Sequence, residues 1–137
     1  MEVHWKIPTT SAINYERVES NRIHRFFGET PSIQLLSGNE NWGLTHIWSR
    51  HETEYITTPG LGANTSQKVS EFLHSFLRDG QYKTYGYSIR TSEDGRETLA
   101  IGYELDEKYG LKVAISNDGR IITAVPTAKS QMKKYDY

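Results

Sequence analysis

Residues 81–127, QYKTYGYSIRTSEDGRETLAIGYELDEKYGLKVAISNDGRIITAVPT, decide the fold. Tyr85, Tyr87 and Ile89 alternate with small or polar neighbours, the period of two expected for a strand with one buried face. Ser92-Glu93-Asp94-Gly95 turns the chain, and Leu99, Ile101, Tyr103 and Leu105 alternate back. Tyr109, Leu111, Val113 and Ile115 give a third strand. Asn117-Asp118-Gly119 is a hairpin signal, because these residues adopt positive φ at low cost. Ile121 to Val125 makes a fourth strand, which Pro126 closes, since proline cannot donate to a ladder. The stretch therefore predicts a four- to five-stranded antiparallel meander.

Upstream the period changes to that of helices. Val69, Phe72, Leu73, Phe76 and Leu77 form one apolar stripe, with Thr65 or Ser66 as cap and Gly80 as stop. Thr57-Thr58-Pro59-Gly60-Leu61-Gly62 reads as a loop, and before it Leu44 to Tyr55 reads as a short helix. Residues 32–42, punctuated by Ser37-Gly38-Asn39, read as a loop. Ser11 to Phe27 contains no Gly or Pro and carries Ile23, Phe26 and Phe27 at helical spacing; Gly28 and Pro31 end it. The class is α+β, with N-terminal helices packed on one face of the sheet. One domain spans residues 1–137: a helical part to 42, a helix–loop–helix part over 43–80, the meander over 81–127, and a basic tail over 128–137.

The 137 residues suit a single core. The absence of cysteine excludes a disulfide framework, a thiolate nucleophile and a sulfur-ligated zinc site. No apolar run reaches the roughly 18 residues that cross a membrane, and the first residues do not resemble a signal peptide. Net charge is −1, which speaks against indiscriminate polyanion binding, but the charge is unevenly spread. Residues 91–119 hold seven acids against Arg96, Lys108 and Lys112, whereas the segment from 120 holds Arg120, Lys129, Lys133 and Lys134 against Asp136. That segment reads either as a solvated terminus or as a local basic patch.

Most standard chemistries find no motif. Gly60-Leu61-Gly62 lacks a preceding strand and a following GK[ST], and GxSxG, HExxH and EF-hand spacing do not occur. Asp106-Glu107 falls at a turn, where solvated charge is the ordinary role. The segment Gly43-Leu44-Thr45-His46-Ile47-Trp48-Ser49-Arg50-His51 is different. His46 and Arg50 stand at i, i+4 and share a face, about 40° apart on an ideal helix. His51 projects with Leu44, Ile47 and Trp48, where packing can tune its protonation. Imidazole beside guanidinium suits phosphoryl chemistry: one moves protons while the other neutralises developing charge. A packed core histidine and a helix-surface ion pair are the plainer alternatives. His46 and His51 at i, i+5 diverge on an ideal helix and no third ligand accompanies them, so the spacing specifies no metal site. Thr123 lies on the strand face opposite Ile122, and Thr127 follows Pro126; their hydroxyls suit phosphate oxygens, but taken alone threonine here is foremost a good strand former.

The order Gly43-Leu44-xx-Ile47-xx-Arg50-His51, long amphipathic helix, and meander ending Ile121-Ile122-Thr123-Ala124-Val125-Pro126-Thr127 resembles the barnase–EndoU–colicin–RelE superfamily of metal-independent ribonucleases. More narrowly, it resembles the C-terminal toxin domains of contact-dependent inhibition systems. The likeness covers residues 43–127. It implies RNA cleavage, on tRNA foremost, by attack of the ribose 2′-oxygen on the adjacent phosphate, leaving a 2′,3′-cyclic phosphate without a cofactor. In that scheme His51 is base or acid with His46 as partner, Arg50 stabilises the phosphorane, and Thr123 and Thr127 bind phosphate oxygens. Lys129, Lys133 and Lys134 would meet the RNA backbone, with Tyr135, Tyr137 and Lys6 as further candidates and Tyr85, Tyr87 and Trp48 as stacking surfaces. The resemblance also implies a monomer carried within a larger secreted effector, acting in a target cytoplasm, with an immunity protein and a host cofactor protein as partners. The competing expectation is a non-enzymatic immunity-type or adaptor module that docks through the acidic 91–119 hairpin.

Overall fold

The computed structural model describes residues 2–13, 20–79, 84–91 and 95–132. The expected turn at Ser92–Asp94, the stop at Gly80, and Lys133, Lys134, Tyr135 and Tyr137 lie outside the described residues, as does the side chain of Tyr85.

The chain is a mixed α+β structure. Strands β3 (Thr84–Thr91), β4 (Glu97–Glu104), β5 (Tyr109–Ser116) and β6 (Ile121–Ala128) form an antiparallel meander in that order, as the alternation predicts. Its core face carries Tyr87, Leu99, Ile101, Tyr103, Leu111, Val113, Ile115, Ile121 and Ala124, all buried. Helix α4 (Ser66–Asp79) buries Val69, Leu73, Phe76 and Leu77, and Phe76 meets Tyr103 edge to face at 5.6 Å. Thr65 caps it: its hydroxyl oxygen accepts the Lys68 N–H at 3.1 Å.

The N-terminal part departs from the all-helical expectation. Val3–Pro8 is a strand, β1, paired antiparallel with β2 (Ser32–Leu36), the stretch expected to be loop. Both alternate: Trp5 and Ile7 are buried on β1, and Ile33 and Leu35 on β2. The helix expected over Ser11–Phe27 is not continuous, because Ile13 is extended. Helix α1 covers only Thr9–Ala12, and α2 runs Ser20–Phe27. The Ile23, Phe26 and Phe27 stripe on α2 is buried as expected. Trp5 ties this part to α4, stacking on His74 at 5.2 Å and donating its indole N–H to the Ser70 carbonyl at 3.0 Å. A single apolar cluster runs from Trp5 to Ala124.

The two sheets touch where β2 meets the turn before β6, with Gln34 N–H donating to the Gly119 carbonyl at 2.9 Å. Gly119 has φ +92°, and a β-carbon there would strike the Ser32 carbonyl, so both conformation and contact require glycine. Helix α3 (Gly43–Thr57) lies along the free edge of β6. Tyr55 donates its hydroxyl to the Ala124 carbonyl at 2.7 Å, so that carbonyl points away from β5. Pro126 shares its parity; its missing N–H therefore also faces outward, and β6 continues to Ala128 rather than closing at the proline. A bulge between Ile121 and Thr123 turns both Ile122 and Thr123 toward the outer face, against the expectation of opposite faces. Helix α5 (Lys129–Met132) folds back so that Met132 is buried against Gly110. Among the described residues no helix is long and apolar enough to cross a membrane.

Candidate active site

Two contacts fix α3 against β6. Near the helix start the Arg120 guanidinium lies over the Trp42 ring at 4.7 Å, and near its end Tyr55 holds Ala124. Residues 46–51 therefore lie between these anchors, alongside the first half of β6. No side chain caps α3; Thr45 N–H is taken by the Ser37 carbonyl at 2.9 Å.

The helix does not run straight through the histidines. His51 has φ −127° and ψ 16°, outside the helical region, so α3 is kinked at that residue. The kink undoes the divergence that i, i+5 spacing implies. The His46 and His51 rings meet edge to face, with centroids 5.8 Å apart. His51 accordingly does not continue the Leu44–Ile47–Trp48 stripe; Leu44 and Ile47 are buried, Trp48 packs on the core, and His51 stays 24% exposed.

Of the two rings, only that of His46 is held by a hydrogen bond through Nδ1. His46 Nδ1 lies 2.8 Å from the Glu40 carbonyl, and a carbonyl can only accept, so Nδ1 carries the hydrogen. His51 Nδ1 faces Glu54 Oε1 at 3.7 Å. Nε2 of both rings has no partner among the described residues. Burial lowers the His51 pKa below the ordinary 6.5; the Glu54 carboxylate opposes this, and His46 and Arg50 add to it. His51 is therefore neutral at pH 7. Arg50 is exposed beside it.

Thr123 stands on the outer face in a row with Ala114, Ala100 and Ser88. Its hydroxyl oxygen and that of Ser88 are buried and have no hydrogen-bond partner among the described residues. Thr127 is four residues further along β6, about 13 Å away at strand rise, and its hydroxyl turns to the Val125 carbonyl at 3.5 Å. The two threonines thus occupy different ends of the face. Lys129, expected on RNA, pairs with Glu104 at 2.5 Å. Tyr87 is buried beneath the Arg22 guanidinium, and Trp48 packs on the core cluster. Of the acids in 91–119, Glu104 pairs with Lys129, Asp106 holds the N–H groups of Lys108 and Tyr109, and Asp118 pairs with Arg120. Among the described residues no group of three His, Asp or Glu side chains is arranged to hold a metal ion.

Sequence reasoning missed a cleft of about 380 Å³ between the start of α3 and the 116–120 turn, lined by Asn41, Trp42, Thr98, Ser116, Arg120 and Ile122 among others. Its Asn117-Asp118-Gly119 turn was visible, but nothing local shows that Arg120 meets Trp42 across the molecule. Arg120 Nε lies 2.8 Å from Asp118 Oδ2. Burial works to raise the Asp118 pKa, but hydrogen bonds from Ser116 and Arg120 and the guanidinium charge prevail and lower it. No family model matches the chain, and no curated protein matches it.

Proposed function

We propose that the chain is a ribonuclease that cleaves RNA by transphosphorylation, with the two histidines of α3 as its proton-transfer pair. The observation that carries this reading is the meeting of His46 and His51 at the kink, with His46 held through Nδ1 by the Glu40 carbonyl and His51 Nδ1 facing Glu54. Two imidazoles close together serve a reaction that needs a base at one oxygen and an acid at another. His51, kept neutral by burial, takes the 2′-hydroxyl proton through Nε2. The 2′-oxygen then attacks phosphorus, the bond to the 5′-oxygen breaks, and His46 in its protonated form gives that oxygen a proton. The products are a 2′,3′-cyclic phosphate and a 5′-hydroxyl. Arg50, exposed one residue before His51, offsets charge on the phosphorane.

The helix–helix–meander order supports the likeness to barnase–EndoU–colicin–RelE toxins, with β1 and β2 added in front. On that likeness the domain is delivered within a larger effector, acts on tRNA in a target cytoplasm, and is held inactive by an immunity protein over the cleft. The deciding experiment is incubation of the purified chain with total RNA in EDTA. The expected result is discrete fragments ending in 2′,3′-cyclic phosphate; RNA left intact, with and without added cell extract, overturns the reading.

A further inference from the structure

The His46 ring is held by a backbone carbonyl, and a carbonyl has a fixed direction only where its peptide plane is fixed. The segment joining β2 to α3 supplies that constraint. Asn39 N–H donates to the Trp42 carbonyl at 2.9 Å and closes the segment into a tight turn. Gly38 packs on that same carbonyl with φ +65°, and a β-carbon there would strike it, so the turn can start only from glycine. Inside the turn the side-chain oxygen Oδ1 of Asn39 accepts the Asn41 N–H at 2.8 Å. The Ser37 carbonyl takes Thr45 N–H at 2.9 Å, which ties the turn to the end of the helix that carries His46.

The Asn41 N–H and the Glu40 carbonyl belong to one peptide unit, and in a trans peptide they point in opposite directions. Holding the N–H on Asn39 therefore aims the carbonyl the other way, where it meets His46 Nδ1 at 2.8 Å. We infer that Asn39 is a positioning residue for His46: through the Glu40–Asn41 peptide it keeps the neutral imidazole in the tautomer with hydrogen on Nδ1 and a bare Nε2. The two hydrogen bonds run in series through one peptide, so each polarises the other. Glu40 acts through its backbone, and the identity of its exposed side chain does not matter. In the proposed reaction His46 gives up a proton from Nε2, and the neutral ring left behind keeps its hydrogen on Nδ1, the form the Glu40 carbonyl favours. The inference rests on the ribonuclease reading for that use of the ring, whereas the tautomer belongs to the chain without substrate.

Nitrogen–proton NMR correlation spectra of the isotope-labelled ring, recorded where histidine is neutral, read the tautomer directly. In the unmodified chain His46 should carry its hydrogen on Nδ1; hydrogen on Nε2, or even exchange between the two nitrogens, overturns the inference without recourse to any variant. Asn39→Ala should lower the ratio of the two tautomers by roughly fivefold, the worth of one hydrogen bond. Asn39→Asp keeps an acceptor at the same place and should restore the ratio, and Glu40→Ala should leave it unchanged. An unchanged ratio in folded Asn39→Ala, or no restoration by Asn39→Asp, overturns the assignment to this residue. In single-turnover cleavage Asn39→Ala should lower kcat by the same factor at constant KM, as befits a residue that acts through another; a raised KM at constant kcat would make Asn39 a substrate contact and overturn the positioning role. An Nδ1–H tautomer that depends on Asn39 in a chain that cuts no RNA upholds the inference while the ribonuclease reading falls. Cleavage by a chain whose His46 tautomer ignores Asn39 does the reverse.

Discussion

The two faces of the four-stranded sheet alternate along the same strands and follow opposite rules. On the core face Leu99, Ile101, Leu111, Val113 and Ile115 are at most 1% exposed and belong to the same apolar cluster as the buried residues of α4. On the outer face Ser88, Ala100, Gly102, Ala114 and Thr123 are small, and the hydroxyls of Ser88 and Thr123 have no partner among the described residues. A buried hydroxyl without a partner costs free energy, so these positions add less to stability than their apolar counterparts on the core face. On the proposed function, the contrast separates the part of the chain that holds the fold from the part that serves the chemistry. It also predicts that substitutions on the two sides will trade activity and stability in opposite directions.

The largest expected effect lies on the working side. His51→Ala should lower the cleavage rate by about a thousandfold, within the usual range for losing a general base, while the thermal midpoint stays near that of the parent. Single-turnover cleavage and a melting curve on one preparation check both halves. Unfolding of the variant would show that the kink residue is structural and would break the contrast. On the other face Leu99→Ala removes a fully buried side chain between two strands. It should cost about 2–5 kcal/mol by denaturant titration, with cleavage per folded molecule unchanged. A comparable loss of specific activity in the still-folded protein would mean that the two faces are not independent.

How much of this contrast was legible in the chain follows from how far each feature reaches. The meander and α4 were readable because their periodicity is local and their turns carry Gly, Asn and Asp. Strand β2 escaped because five residues between Pro31 and Ser37-Gly38-Asn39 look like a loop from outside, although Ile33 and Leu35 alternate. Strand β1 carried the same signal in Trp5 and Ile7. The histidine pair was half legible. Both residues stood out by type, but ideal helical angles drove them apart, and nothing in Ser49-Arg50-His51 announces a kink. The cleft was not legible at all, because Trp42 and Arg120 meet only after β2, the 117–119 turn and α3 are assembled.

A smaller effect sharpens the comparison at one residue. Thr123→Val replaces the buried, unpartnered hydroxyl by a methyl group of similar volume. Stability should hold or rise by up to about 1 kcal/mol, because an unmet polar group is removed. Cleavage should be unchanged, because a hydroxyl closed to solvent does not reach the phosphate. A loss of cleavage in the folded variant would show that the hydroxyl opens to the substrate.

The subtlest test concerns protonation. Burial holds His51 below the ordinary 6.5, and Glu54 is the group that pulls it back up. Glu54→Gln removes that pull and leaves burial, His46 and Arg50 in place, so the His51 pKa falls further. A base must be neutral to act, so the acid limb of kcat/KM for cleavage moves to lower pH in the variant. Stability carries the matching sign. The unfolded chain takes up a proton near 6.5 while the folded one does not, so His51 weakens the fold as pH drops below that value. The substitution extends that weakening to lower pH. Rate profiles together with an NMR titration of the His51 ring distinguish this from simple orientation: if Glu54 only aims Nδ1, the plateau rate falls and the limb stays where it was. A limb that moves to higher pH would mean that Glu54 does not act on His51 as a neighbouring charge, and the proton-transfer role would have to pass to His46.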